Sequence, residues 1–190
     1  PRPGDFHYDA LETELMLRDI AQCRALGCDG VVIGALDVHG GIDMPLCREL
    51  VQAAGPLQVT FHRAFDAARD LPAALEQVID LGCTRVLSSG GQVSAEAGSS
   101  MLAALVAQAA GRICVMAGAG IGPANIARIA RLTGCSELHA SAKGLRRSAM
   151  QFQNPLLRGL DPDWHQTSTA TVAALRKALD EGAHKNGSHL

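Results

Sequence analysis

The sequence has few aromatic residues and lacks a long apolar run. Aromatic residues make up 3% of the 190 residues and hydrophobic residues 47%, so the core must be built from aliphatic side chains. No apolar stretch reaches the roughly 20 residues that a membrane-spanning helix needs, and no signal peptide opens the sequence. We therefore predict a cytoplasmic protein that has no membrane partner.

Clusters of positive charge and closely spaced cysteine pairs are also lacking. Lys and Arg total 17 against 19 Asp and Glu, and no basic run stands out, which argues against nucleic acid as a partner. None of the six cysteines forms a C-x-x-C motif, and a chain of this length needs no disulfide framework. Reduced thiols are therefore expected, as in the cytoplasm.

The most informative feature present is an internal repeat. Apolar runs typical of buried strands begin 27, 27, 28 and 24 residues apart, near Gly30, Leu57, Thr84, Arg112 and Ser136. Helical spacing of apolar residues fills the segments between them. Three helix-to-strand joints carry a glycine followed by a cysteine, and glycine readily adopts the left-handed conformation that ends a helix. Strands that alternate with helices in this way predict an α/β fold with a parallel sheet and right-handed crossovers.

Two architectures fit this repeat: an open sheet of five strands, and an eight-stranded TIM barrel. A barrel needs about 50 to 60 further N-terminal residues, because typical barrels reach about 250 residues and this sequence has 190. The repeat pattern is lost after Lys143, and residues 144–164 are predicted to be irregular. A final helix is predicted over residues 168–179. We predict one domain over residues 1–182 and a polar tail over residues 183–190.

Polar residues collect where the predicted strands end, which is where parallel α/β folds bind ligands. His62, Asp66 and Asp37 are the candidate catalytic residues, since His62 can exchange a proton near neutral pH. Arg63 and Arg2 are candidates for binding a carboxylate or phosphate. An equally good interpretation is that Arg63 and Asp66 form an ion pair that fixes the loop while His62 packs beside it.

A glycine-rich turn follows the fourth predicted strand. Gly118 and Gly120 would let a ligand approach the backbone, and Pro123 suits the first turn of a helix whose N–H groups favour an anion. The remaining candidate ligand-binding residues lie at neighbouring strand ends: Ser88, His139, Ser141 and Lys143. Together these residues predict a site for a small anionic molecule.

Copper(I) prefers thiolate, thioether and imidazole ligands that lie close together. Met44 and Cys47 are three residues apart on a predicted helix, and Cys114 and Met116 share a strand face. The cysteines at the helix-to-strand joints lie at the opposite end from the predicted site, and buried free cysteines usually serve as small apolar residues. The sequence alone therefore specifies no metal site.

The segment VTFHRAFD (residues 59–66) closely resembles the signature of the CutC family. Further segments resemble that family in the same order: PRPGDFHY (1–8), GALD (34–37), IDM (42–44), AAGPL (53–57), VLSSG (86–90), MAGAG (116–120), HASA (139–142) and MQFQN (150–154). The resemblance implies an eight-stranded TIM barrel, with this chain beginning near the end of its third strand. The family's first two strands, whose cysteines are proposed copper ligands in some members, have no counterpart here.

The resemblance implies a function in cytoplasmic copper homeostasis, with copper ion as the bound ligand. The alternative hypothesis is a TIM-barrel enzyme that acts on a small phosphate- or carboxylate-bearing metabolite at the carboxyl ends of the strands. An incomplete barrel exposes sheet edges, so we also expect a homo-oligomer.

Overall fold

A computed structural model describes residues 2–156, 159 and 161–186. Five parallel strands alternate with helices, and a two-stranded ribbon and a last helix follow them. The elements are α1 (Ala10–Ala25), β1 (Gly30–Ile33), α2 (Met44–Ala54), β2 (Gln58–Phe61), a 3₁₀ turn (Arg63–Ala67), α3 (Leu71–Asp80), β3 (Arg85–Ser88), α4 (Ser99–Ala109), β4 (Cys114–Gly118), α5 (Ile126–Thr133), β5 (Glu137–His139), β6 (Lys143–Arg146), β7 (Trp164–Thr167) and α6 (Thr169–Asn186).

The main sheet has the order β1-β2-β3-β4-β5, and each strand pairs in parallel with the next. A doubly wound sheet would reverse its strand order at a switch point, whereas a TIM barrel keeps sequence order throughout. The predicted α/β class with TIM-barrel topology is confirmed. The five strands form an open arc, and the barrel is not closed within the described residues.

The two faces of the sheet differ in what they contact. Side chains alternate between the faces of a strand, and one set, which includes Val59, Phe61 and Val86, is buried in the aliphatic core beneath the helices. The other set faces the concave side of the arc and is only partly covered, with Val32 on β1 exposed to 64%. The helices thus cover the convex face and leave the concave face open.

Side-chain and glycine caps delimit the helices. Asp9 and Glu12 form a capping box at the start of α1. At its end Gly27 has a φ of 73°, the Cys28 N–H donates to the Cys23 carbonyl at 3.0 Å, and the Gly27 N–H donates to Arg24 at 3.1 Å. This pair of bonds is a Schellman motif, which turns the chain directly into β1.

The structure departs from the sequence prediction at three places. Residues 144–164 were predicted to be irregular, but β6 pairs with β7 in an antiparallel ribbon. Helix α5 begins at Ile126, not at Pro123, because Asn125 is its N-cap residue. The last helix continues to Asn186 instead of ending near Leu179, and residues 187–190 of the predicted tail lie outside the described residues.

No helix in the described part of the chain is long and apolar enough to cross a bilayer.

Candidate functional site

Asp66 is the hydrogen-bonding centre of the loops at the carboxyl ends of β2 and β3. Its carboxylate accepts from Ser88 Oγ at 2.6 Å, Ser89 N at 2.9 Å and Gly91 N at 3.0 Å, and from Arg63 Nε at 2.7 Å. The side chain is only 8% exposed. Since its lone pairs are occupied by protein donors, Asp66 positions two loops, and its catalytic role stays a prediction.

The two arginines predicted to bind an anion are engaged within the protein. Arg63 donates through Nε to Asp66 and through Nη2 to Ser89 Oγ at 2.8 Å. This is the loop-fixing ion pair that the sequence left open as an alternative. Arg2 pairs with Glu12 and Asp5, and its guanidinium lies 5.4 Å from the centre of the Tyr8 ring.

Asp37, the third candidate catalytic residue, anchors the turn after β1. Its Oδ1 accepts from His39 N at 2.8 Å and from Gly41 N at 2.9 Å. These two backbone bonds, that from Gly41 first, hold the pKa of Asp37 below its ordinary value. The geometry therefore gives Asp37 a role in the shape of the turn.

His62 is held in one orientation at the end of β2. Its Nδ1 accepts the Ala64 N–H at 3.0 Å, and its ring lies 5.3 Å from that of Phe6 and 6.1 Å from that of Phe61. Burial lowers the pKa of His62, so the ring is neutral at neutral pH. With Nδ1 as an acceptor, the proton of the neutral ring lies on Nε2. A Cβ on Gly34 would lie 2.5 Å from the ring.

A cavity of about 350 Å³ adjoins His62, between α1 and the edge of β1 that is unpaired in the described residues. Its volume is within the range of small-molecule sites. It is lined by Tyr8, Met16, Asp19, Ile20, Cys23, residues 30–34 and His62. Burial raises the pKa of Tyr8, so its hydroxyl stays protonated as a second neutral donor.

The glycine-rich turn after β4 is more constrained than predicted. Ala119 has a φ of 80° and Gly120 a φ of 68°. The Gly122 N–H donates to Asn125 Oδ1 at 2.8 Å, so it is not available to an anion. A Cβ on Gly118 would lie 2.6 Å from Cδ1 of Leu87, so a side chain here would require Leu87 to shift.

The remaining predicted ligand-binding residues do not line the cavity beside His62. Ser88 is buried against Asp66. His139 ends β5 in register with Gly118. Ser141 and Lys143 are exposed, and Lys143 pairs with Thr167 in the ribbon. Of the predicted residues, Asp66, Arg63 and Ser88 thus share one network that shapes the loops. His62 is the one that lines the cavity.

Sequence reasoning missed a charged pair on the concave face. Arg85 and Glu137 begin β3 and β5, and they form a two-pronged ion pair in which Nη2 donates to Oε1 at 2.9 Å. Arg85 Nη1 also donates to Thr60 Oγ1 at 3.3 Å. The pair raises the pKa of Arg85 and lowers that of Glu137. The strand alternation in RVLS and ELH could have placed both residues opposite the helix-covered face.

Cys114, one of the cysteines considered for copper, lies on the concave face beside a charged pair. Cys114 lies 3.8 Å from Ser136 Oγ and near both Arg85 and Glu137. The positive charge of the Arg85 guanidinium would repel a metal cation at Cys114. Across the described residues, no group of three or more His, Cys, Asp or Glu side chains could hold a metal ion.

Comparison with known proteins identifies the family. The CutC family model matches residues 1–144. A CutC family protein of Xanthomonas axonopodis pv. citri is 50% identical over 181 residues, which cover 95% of this chain and 75% of that protein. This chain belongs to the CutC family. A CutC family protein of Bacteroides thetaiotaomicron is 52% identical over 154 residues, which cover 81% of this chain and 62% of that protein.

One solved structure agrees with the assignment to CutC, and a second agrees with the fold. The crystal structure of a CutC protein from Streptococcus agalactiae, named for copper homeostasis, has a TM-score of 0.71 and 33% identity, and covers 73% of this chain and 68% of that one. A structure titled native KDPGal has a TM-score of 0.56 at 18% identity, with 88% of this chain and 66% of that one covered. The second likeness supports the fold alone.

Proposed function

We propose that this CutC-family chain binds a small phosphate- or carboxylate-bearing metabolite in the cavity beside β1, with His62 Nε2–H as the donor to the anionic group. The observation that carries the proposal is the fixed orientation of His62 at the cavity wall. Its Nδ1 is engaged by Ala64, so a neutral ring presents a donor. The protonated hydroxyl of Tyr8 is a second neutral donor in the same cavity.

The hydrogen bonding of His62 also limits the chemistry. To act as a base, Nε2 would have to be unprotonated, which puts the proton on Nδ1 and breaks the bond from Ala64 N–H. His62 therefore polarises a ligand oxygen as a neutral donor. Asp19, on the α1 wall of the cavity, would accept from a hydroxyl or ammonium group of the same ligand. A hydroxy or amino carboxylate or phosphate suits this arrangement.

The test uses two substitutions that separate the histidine nitrogens. In His62→Asn, Oδ1 replaces Nδ1 as the acceptor for Ala64 and the Nε2 donor is lost. In His62→Gln, a side-chain N–H remains near the position of Nε2 and the acceptor for Ala64 is lost. Inorganic phosphate and glycolate are titrated into each protein, with binding followed through amide resonances.

We expect saturable binding to the wild-type chain. Binding to His62→Asn should be at least roughly tenfold weaker, since a hydrogen bond to a charged group is worth about 1.5–3 kcal/mol. The loss of affinity in His62→Gln should be smaller. A folded His62→Asn protein that binds both probes like the wild type would refute the role of His62. Absence of saturable binding of either probe to the wild type would refute the anion site.

A second candidate function is the binding of copper as Cu(I) in the cytoplasm. Two observations support it: the Streptococcus agalactiae neighbour is named for copper homeostasis, and all six cysteines of this chain are free. Free thiols are what a reducing compartment maintains and what a soft cation binds. The measurement is Cu(I) titration of the reduced protein against a competing chelator. Failure of the folded protein to compete would remove this candidate and leave the anion site.

A further inference from the structure

The geometry points to Cys23 and Cys28 as a two-coordinate Cu(I) site at the junction of α1 and β1. This inference rests on the proposal that the chain binds copper, and it gives that proposal a location. The site lies at the amino end of β1, whereas the loops that Asp66 organises lie at the carboxyl ends of the strands. Cys23 also lines the cavity proposed for the anion, so the copper site adjoins that cavity at its α1 wall.

The Schellman motif at the end of α1 brings the two thiols together. The Cys28 N–H donates to the Cys23 carbonyl at 3.0 Å, in the hydrogen bond that closes the six residues of the motif. In this motif the side chains at these two positions commonly contact each other across the turn. The Cys28 thiol is close enough to act, after burial, as the second cause that raises the pKa of Cys23. The backbone motif therefore predicts that the two thiols are neighbours across the turn.

The other helix-to-strand joints show that this pair is specific to the first one. The α3 joint has the same glycine and cysteine, and the Cys83 N–H reaches the Val78 carbonyl at 3.4 Å. There the partner position holds a valine. Cys83 is buried, while Cys28 is exposed and Cys23 half-buried. The first joint alone places a second cysteine opposite the first, with at least one thiol open to solvent.

The surroundings of the pair favour a cation. The carboxyl end of a helix carries partial negative charge, and Cys23 and Cys28 flank the end of α1. Asp19 acts on Cys23 through its charge, and Asp29 follows Cys28 in sequence. These two carboxylates are negative, in contrast to the guanidinium beside Cys114. The Arg24 guanidinium, in the last turn of α1, donates to the Ala53 carbonyl.

The chemistry needs no oxidant. Cu(I) displaces one proton from each thiol and forms two copper–sulfur bonds, so two protons leave and the centre carries one negative charge. Metal–thiolate bonds are about 2.3 Å long, so a linear arrangement places the sulfurs about 4.5 Å apart. Two thiols that are neighbours across a turn can reach that separation by side-chain rotation. A thiolate pair is also the soft donor set that selects Cu(I).

The experiment compares the reduced wild-type chain with Cys23→Ser, Cys28→Ser and the control Cys114→Ser. Each protein is titrated with Cu(I) against a competing chelator, and folding is checked by circular dichroism. A second measurement uses phenylarsine oxide, which loses its oxygen as water when it forms a ring with two neighbouring thiols. Its addition is read by mass under native conditions.

We expect one Cu(I) per wild-type chain, at least a hundredfold weaker binding in both joint variants, and wild-type binding in Cys114→Ser. One arsenical should add to the wild type and to Cys114→Ser, but to neither joint variant. Tight Cu(I) binding that survives both joint substitutions would overturn this site and leave the copper proposal standing. Absence of Cu(I) binding by the folded wild type would overturn both.

Discussion

At the scale of single residues, Gly34 decides where the His62 ring can lie. A Cβ at this position would lie 2.5 Å from two ring atoms, which no side-chain contact tolerates. We predict that Gly34→Ala displaces the ring and weakens phosphate binding about tenfold, equivalent to about 1.4 kcal/mol. Isothermal titration calorimetry measures the loss. Gly122→Ala is the matched control, since nothing lies within 4 Å of its Cβ, and equal losses in both variants would contradict the explanation.

Asp66 is the residue on which the geometry of two loops depends. Substitution by Asn keeps the shape, but it turns one acceptor oxygen into a donor facing Arg63 or the Ser88–Ser89 segment. We predict a loss of roughly 3 kcal/mol in the free energy of unfolding, as for a buried ion pair that loses one partner. Urea denaturation measures it.

Asp70→Asn serves as the control for Asp66→Asn. Asp70 caps α3 by accepting from Ala73 N, and asparagine caps helices equally well. The free energy of unfolding of Asp70→Asn should therefore be close to that of the wild type. If Asp66→Asn were no more destabilising than Asp70→Asn, the buried network would not support the loops as described.

The sequence located the candidate residues but did not reveal their partners. His62, Asp66 and Asp37 do lie at strand ends, as strand periodicity predicted. Whether a carboxylate contacts a ligand or the protein depends on residues far along the chain: Ser88 and Ser89 are 22 and 23 positions from Asp66. Arg85 and Glu137 were missed because they begin strands, where the site was not expected.

At the scale of elements, one ion pair joins α3 to the end of α4. Glu76 on α3 accepts from Arg112 at 2.7 Å and from Gln108 at 2.8 Å. These two bonds, of which that from Arg112 has the larger effect, lower the pKa of Glu76 from 4.5 to about 2. Because the folded-state pKa is depressed, the pair stabilises the fold above pH 4.5, and this contribution is lost as the pH falls toward 2.

We therefore predict that Glu76→Gln lowers the free energy of unfolding at pH 7. The difference in this free energy between the variant and the wild type, here called the gap, should narrow as the pH falls from 4.5 to 2. Chemical denaturation at a series of pH values measures the gap. Glu49→Gln, at an exposed position on α2 with no ion pair in the described structure, should give a small gap throughout. A gap for Glu76→Gln that stays constant with pH would contradict the linkage.

Elements with strong periodicity were predictable, and weakly patterned ones were not. The five strands and the helices between them follow from buried apolar residues at regular spacing. Strands β6 and β7 are largely exposed, so no apolar alternation marks them. The start of α5 was misplaced because Pro123 suits a first turn, but Asn125 bonds back to Gly122 and the helix starts after it.

At the scale of the whole molecule, the open arc leaves β1 and β5 as the outer strands of the main sheet. Val32 on β1 is 64% exposed. Free strand edges with apolar side chains promote association between chains, so we predict a homo-oligomer that forms through the β1 edge. Because Val32 also lines the cavity beside β1, this association competes with the ligand. Val32→Lys should shift the population toward monomer in sedimentation velocity.

Val93→Lys is the control for edge association, because Val93 is 92% exposed on the loop between β3 and α4. It adds the same charge away from the edge. A wild-type chain that is monomeric at all concentrations would contradict the prediction, as would an oligomer that Val32→Lys leaves intact.

The Arg85–Glu137 pair has a consequence for how long the molecule stays folded. It joins residues 52 positions apart and crosses β4, with which β3 and β5 both pair. Such a contact forms only after three strands have assembled, and contacts this distant in sequence close late in folding. Interactions absent from the transition state act mainly on the unfolding rate. The pair would therefore extend the lifetime of the folded protein and leave its speed of folding almost unchanged.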